Sequence, residues 1–374
     1  MPNSKPVKIM LITGYLGAGK TTLLNRILAN DLGIRAAVIV NDIGEVNVDA
    51  NLIAKGGVVD MGDSSLVPLT NGCICCTLAD DLAAQLQEFA SSGNFDYVII
   101  EASGICEPIP IAYTISAFCA QEADEDAPME LDNIVAVVDS ARMFDEFNGG
   151  KDLLADDIDE DDIESLLIQQ LEFCTTVILN KADLVTPEQL GELRALVRSL
   201  QKGATIIEAT DCNVPLEDLL DTGRFSFEEA FRSAAWVEAM EHPEEHEDPE
   251  ILEYDIATFV YERRVPFSLD ALQELSTRWP QTVIRSKGLV WFDEDPDMCY
   301  LFEQSGQQFS LMQNGMWLAA ADPEDQERAM DEDPDIRANW DEEVGDREIR
   351  LVVIGRHMDR AAIEAELDSC LADA

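Results

Sequence analysis

Short apolar runs alternate with longer amphipathic ones through roughly the first two hundred residues. VKIMLIT is followed by TTLLNRILAND, RAAVIVN, TLADDLAAQLQEFASS, FDYVIIEASG, NIVAVVDS, TTVILNKADLV, PEQLGELRALVRSLQ and ATIIEAT. Near-continuous apolar runs of strand length are what a strand buried on both faces requires, and the amphipathic runs between them are covering helices. The pattern predicts an α/β fold, a doubly wound and mostly parallel sheet. In such sheets ligands bind outside the carboxyl ends of the strands.

The alternation fades after Gly223, through RFSFEEAFRSAAWVEAM into the Pro- and Glu-rich EHPEEHEDPE. Beyond it DIATFVYE, TVIRSKGLVWFD, CYLFEQSGQQFSL and REIRLVVIG read as strands, and SLDALQELSTRW and DRAAIEAELDSCLA as helices. That grammar predicts a smaller α+β domain, an antiparallel sheet with helices on one face. The expected division is a nucleotide-binding domain at 1–223, an acidic linker at 224–250 and a C-terminal domain at 251–374. Two further acidic stretches, QEADEDAPMELD and ADDIDEDDIES, read as a solvated loop and a helix start.

Composition narrows the function. The 374 residues include 75 acidic against 25 basic ones, a formal net charge of −50, which disfavours binding to phosphate backbones and excludes nucleic acid as an expected partner. No run approaches the roughly 18 apolar residues of a membrane span, and the apolar start breaks at Gly14 as a buried strand would. An odd cysteine count without an export signal predicts a reducing cytoplasm, where clustered cysteines bind metal or do chemistry more often than they cross-link.

GYLGAGKT, Gly14 to Thr21, fits the phosphate-loop pattern between a predicted strand and a predicted helix. Gly14, Gly17 and Gly19 let backbone N–H groups curl around phosphates. Lys20 reaches the β- and γ-phosphates, the Thr21 hydroxyl binds Mg²⁺, and Thr22 follows it into the helix. NKAD places Asn180, Lys181 and Asp183 at another strand end, where a carboxylate accepts from the two N–H donors of guanine's edge. Together they favour GTP and GDP over adenine nucleotides. VIIEASG sets Glu101 at a further strand end to hold Mg²⁺ directly or through water, and leaves the Gly104 N–H for a γ-phosphate. Between them NDIGEVNVD offers Asp42, Glu45 and Asp49 in the position of a switch loop. Lys20, Glu45 and Glu101 are the candidate catalytic residues.

NGCICC gathers Cys73, Cys75 and Cys76 just before a predicted helix with Thr77 at its N-cap. A helix N-terminus stabilises thiolates, the metal-binding form. Three thiols cannot fill a four-coordinate zinc shell, so a further ligand has to come from elsewhere, with Glu45 of the switch segment a candidate. A packed thiol cluster and a redox pair are the competing readings.

GYLGAGKTT, CICC, EASG and NKAD, with RSKGLVWF, the late W…GDREIRLVVIG and the ending LDSCLA, together resemble the CobW family of metal-handling P-loop GTPases over nearly the whole chain. The resemblance implies a GTPase metallochaperone that holds Zn²⁺ or a similar ion between C-x-C-C and a switch glutamate, matched here by Glu45. It implies a client metalloprotein as partner, with homo-oligomers a further expectation. The C-terminal pattern leans towards the zinc-responsive branch. A cobalt or iron insertion activator and a zinc buffer or sensor share these motifs. Asp42 stands where the family carries a longer carboxylate. The family's histidine-rich linker is reduced to His242 and His246, which Pro243 keeps from sharing a helix face, and Cys106 in GICEP reads as a filler or a fourth thiol.

Overall fold

The computed structural model describes residues 6–29, 33–41, 66–69, 79–104, 108–122, 129–147, 160–226, 255–305, 308–332 and 334–372. In chain order the elements of the first part are β1 (Val7–Thr13), α1 (Lys20–Leu28), β2 (Ala36–Asn41), β3 (Leu66–Leu69), α2 (Ala79–Ser92), β4 (Tyr97–Glu101), α3 (Pro108–Glu122), β5 (Met129–Asp139), α4 (Ser140–Phe147), α5 (Glu160–Glu172), β6 (Thr176–Asn180), α6 (Pro187–Leu200) and β7 (Thr205–Glu208). Then follow β8 (Ile256–Arg263), α7 (Leu269–Ser276), β9 (Val283–Phe292), β10 (Asp295–Ser305), β11 (Gln308–Met316), α8 (Pro323–Glu332), α9 (Pro334–Ala338), β12 (Ile349–Arg356) and α10 (Arg360–Asp368). The chain divides into two compact units, Met1–Asp157 with Leu166–Ala234, and Ile158–Ser165 with Ala235–Ala374. The linker read at 224–250 lies almost wholly outside the described residues, as do His242 and His246.

Among the described residues unit 1 holds a seven-stranded sheet in the order β3-β2-β4-β1-β5-β6-β7. Every pairing in it is parallel, as the apolar runs predict. β4 and β6 are buried at all positions, because helices cover both faces. α1 seats Leu23, Leu24 and Ile27 against Met10, Ile12, Val38 and Ile99 of the sheet. α6 begins with a capping box, the Thr186 hydroxyl accepting from Gln189 N–H while the Gln189 side chain accepts from Thr186 N–H. With Pro187 next in line, that start is sharply defined.

One expectation needs correction. The end of QEADEDAPMELD is not solvated loop: Met129–Asp132 are the first turns of pleat in β5, and Asp132 is buried. Its carboxylate accepts from Thr222 N–H at 3.1 Å and Gly223 N–H at 2.6 Å, and from the Tyr97 hydroxyl. Lys8 lies 3.5 Å away, shared with Glu130 and Asp221. Burial, then the bond to Asp132, raise the Tyr97 phenol far above its ordinary value, so it stays a donor. This knot ties the amino ends of β1, β4 and β5 to the segment leaving the sheet. A buried acceptor satisfied by several donors leaves all of them stranded when it is removed. Asp132→Ala is therefore expected to lower the unfolding free energy by about 3 kcal/mol, read by urea denaturation at pH 7. A loss below about 1 kcal/mol would mean that water replaces the carboxylate.

Among the described residues unit 2 holds an antiparallel five-stranded sheet in the order β11-β10-β9-β12-β8. Its core joins Phe259, Tyr261, Trp291, Phe292, Leu351 and Val353 from the strands to Leu272, Leu275, Ile363 and Leu367 from α7 and α10. CYLFEQSGQQFSL reads as a single strand but is a hairpin, with β10 on one side and β11 on the other. The W…GDR motif is structural. Asp346 accepts from Leu318 and Ala319 N–H, both at 2.8 Å. At Gly345, which has φ +73°, a Cβ would sit 2.4 Å from that of Ala319.

Candidate functional site

β1, β4 and β6 end on the same edge of the sheet and bring three of the sequence motifs together. Gly14 follows β1 at φ +135°, and a Cβ there would lie 2.1 Å from the Val137 carbonyl oxygen, so only glycine lets the loop start against β5. Gly17 also has a positive φ, with open space around it. Lys20 is 7% exposed at the first position of α1, its ammonium folded back to donate to the Gly14 carbonyl at 2.8 Å and the Tyr15 carbonyl at 3.4 Å. The loop thus turns through three positive-φ glycines onto a lysine at a helix N-terminus, the arrangement that receives phosphate.

Thr21 stands in the first turn of α1, and its hydroxyl donates to Glu101 Oε1 at 3.0 Å. Glu101 is wholly buried at the end of β4, where the next residue, Ala102, donates its N–H to the Ile12 carbonyl at 2.9 Å and holds the strand end beside β1. A hydroxyl and a carboxylate side by side under the phosphate loop are an all-oxygen donor set, which suits a hard divalent cation such as Mg²⁺. Thr22 is exposed. Gly104 packs on the loop itself: a Cβ there would come within 2.8 Å of Leu16 N, and its carbonyl accepts from the Gln170 amide at 3.3 Å. That close approach is a second reason for glycine at this place.

The NKAD segment grips the phosphate loop. Asn180, 3% exposed, donates through Nδ2 to the Ala18 carbonyl at 2.8 Å and accepts at Oδ1 from Cys212 N–H at 2.8 Å. Lys181 sits at φ +57°, and its ammonium pairs with Asp139 at the end of β5. Asp183 lies exposed in the single turn Ala182–Leu184, presenting its carboxylate to solvent where a base edge can meet it.

Cys212 and its neighbours are site residues that the sequence reading passes over. The segment after β7 places Ala209 O against Ala182 N–H at 3.0 Å and Asp211 O against Arg26 Nε at 2.7 Å. The Cys212 thiol donates to the Gly19 carbonyl at 3.4 Å. A Cβ on Gly19, φ +117°, would lie 2.6 Å from Asn180 Nδ2 and 3.0 Å from Cys212 Sγ. The signal available in sequence was only that EATDC ends a strand beside NKAD.

Cys73, Cys75, Cys76, Asp42, Glu45, Asp49, Thr77 and Cys106 lie outside the described residues. Among the described residues no three His, Cys, Asp or Glu side chains group to hold a metal. The described cysteines, Cys119, Cys174, Cys212, Cys299 and Cys370, are free thiols. Burial pushes Cys119, Cys212 and Cys299 up to about 11 and Cys174 up to about 12, so all four are neutral fillers or donors at pH 7 rather than ready thiolates. No helix among the described residues is long and apolar enough to cross a membrane.

A parallel sheet whose strand ends present a phosphate loop, a buried carboxylate beside the loop's threonine and an asparagine locked to the loop defines a P-loop nucleotide-binding protein. Residues 8–208 match the CobW/HypB/UreG nucleotide-binding domain, and residues 256–371 match the cobalamin synthesis protein cobW C-terminal domain. The chain belongs to the CobW/HypB/UreG family. It is 35% identical over 381 residues to the zinc-regulated GTPase metalloprotein activator 1 of Dictyostelium discoideum, covering 97% of this chain and 79% of that protein. It is 30% identical over 378 residues to the zinc chaperone CobW of Sinorhizobium sp, covering 98% and 97%. Among solved structures it resembles the Zn(II)-bound YjiA GTPase of E. coli at 20% identity and a TM-score of 0.44, covering 98% of this chain and 100% of that one.

Proposed function

We propose that this protein is a GTP-hydrolysing metallochaperone that takes zinc as cargo at its C-x-C-C motif and couples nucleotide state to delivery of the ion to a client metalloprotein. It is a GTPase of the CobW/HypB/UreG family, and relatives are named zinc chaperone and zinc-regulated GTPase metalloprotein activator. The observation that carries the nucleotide side is the Thr21 to Glu101 pair at 3.0 Å under the phosphate loop.

In this reading Gly14, Gly17 and Gly19 shape the cradle, Lys20 leaves its loop carbonyls for the β- and γ-phosphates, and Gly104 faces the γ-phosphate. Thr21 and Glu101 hold Mg²⁺, which when bound neutralises phosphate charge. Asn180 and Lys181 brace the loop, and Asp183 reads guanine. Cys73, Cys75 and Cys76 with Glu45 form the cargo site. The C-x-C-C motif and Glu45 both fall in the sequence between α1 and β4, whose ends supply Thr21 and Glu101. Loss of the γ-phosphate releases such intervening segments in nucleotide switches. We place this activity in the cytoplasm, with the folded unit 1 as its engine and homo-oligomers as a further state.

Coupling is reciprocal, so nucleotide must change metal affinity by the factor with which metal changes nucleotide affinity. Titrating reduced protein with Zn²⁺ in the GDP state and with a non-hydrolysable GTP analogue is expected to show dissociation constants about tenfold apart, roughly 1.4 kcal/mol of coupling. Cys76→Ser should abolish the difference. Equal zinc affinity in both states, unchanged by that substitution, would overturn the reading. A nucleotide-dependent shift for cobalt or iron(II) alone would reassign the cargo.

A further inference from the structure

Among the described residues the sheet of unit 2 has two edges, and only that of β8 carries charged pairs. β8 ends in Glu262 and Arg263; Arg263 pairs with Asp368 at 2.7 Å and Glu262 with Arg350 at 2.9 Å. Charged, paired side chains of this kind are how proteins stop an edge from accepting another strand. β11 has none of these protections. Its sequence, QFSLMQNGM, contains no charged residue and no proline. All seven residues from Ser310 to Met316 are exposed, including Leu311 at 39% and Met312 at 49%.

The strand is nevertheless firmly held. It pairs with β10 from Gln308 through Gln313, and Phe309 packs edge-on against Trp279 with ring centroids 5.3 Å apart. Among the described residues β11 is an outermost strand. Alternate backbone N–H and C=O groups of an outermost strand point away from the sheet. A rigid, uncharged, extended row of such groups is the template used in β-strand addition, where main-chain bonds give affinity and alternate side chains give selectivity.

We propose that β11 is a docking edge for an extended segment of a partner protein, which adds as a sixth strand and carries lysine or arginine at the end that lies beside Met316. The charge of the surroundings sets the sign of that partner segment. Asp295 and Asp297 open β10 beside Met316, and Asp322, Glu324, Asp325 and Glu327 follow within eleven residues of Met316; Arg347 pairs with Asp297 and Arg328 with Asp325, which leaves that end acidic in a chain of net charge −50. An uncharged seam with acids gathered at its Met316 end favours a strand that is basic at that end. A second copy of this chain fits poorly: edge-to-edge pairing brings together two bodies of charge −50, and one short strand pair buries far less than the roughly 1,200 Å² of a stable interface.

The test uses the full chain and a synthetic seven-residue peptide alternating valine and threonine between terminal lysines, with a glutamate-ended counterpart as control. The lysine-ended peptide is expected to slow amide exchange in β11 at least tenfold at saturation. Its affinity should fall at least tenfold between 50 and 500 mM salt, and the control should not bind. Leu311→Lys with Met312→Lys, or Met312→Lys alone should the pair disturb folding, should abolish binding with GTP hydrolysis and Tm unchanged. Unaltered exchange in β11, equal binding by the lysine variants, or equal binding of the two peptides would overturn the proposal. So would concentration-dependent dimerisation that rises with salt and is lost in the variants, which would assign the edge to a second copy.

Discussion

Glu101→Gln is expected to lower GTP turnover at saturating nucleotide by about 100-fold or more, while the protein melts at the same temperature or higher. Glutamine keeps the shape of a fully buried side chain and can still accept from the Thr21 hydroxyl 3.0 Å away. It cannot supply the negative charge that a hard cation requires. A buried carboxylate is costly to the fold, so its neutral isostere removes a destabilising charge as well as a functional one. The two readouts therefore move in opposite directions, which a merely structural role would not produce. Single-turnover hydrolysis over a range of Mg²⁺ concentrations, beside a thermal melt, checks this. Wild-type turnover at limiting Mg²⁺ would remove Glu101 from the site.

The second large effect is expected at the base. Asp183→Asn should weaken GTP binding by roughly 100- to 1,000-fold and at the same time improve binding of xanthosine triphosphate. Guanine offers two N–H donors on one edge, and an exposed carboxylate at the turn after β6 accepts both, each such charge-assisted bond contributing about 1.5–3 kcal/mol. An amide offers one acceptor and confronts the second donor with its own N–H₂. Xanthine carries a carbonyl where guanine carries that amino group, so the amide fits it. Asp183 is exposed and makes no part of the hydrophobic core, so stability should hardly change. Competition titrations with a fluorescent nucleotide separate the outcomes; unchanged selectivity would mean that the base lies elsewhere.

The parallel sheet was readable because each strand is covered on both faces and so shows as an unbroken apolar run, β4 and β6 most plainly. The β10–β11 hairpin was not, because CYLFEQSGQQFSL breaks only at a Gly-Gln pair that periodicity alone does not separate from a continuous strand. Asp132 was missed for a related reason. In a run of acids it resembles its solvated neighbours, and only the arrival of Tyr97, Thr222 and Gly223 from distant parts of the chain makes it a buried acceptor.

The sequence by itself determined the glycine loop after β1, the strand-end carboxylate Glu101, the NKAD turn and the order of elements that carries them, since these depend on local spacing and on which side chains a strand or turn can bear. Tertiary structure alone decided which parts touch: the Asn180 bridge from Ala18 to Cys212, the close approaches that require Gly19 and Gly104, and the contrast between the charged edge of β8 and the bare edge of β11. Those are contacts between residues far apart in the chain, and no local pattern records them, because they arise only when the strands take their places side by side.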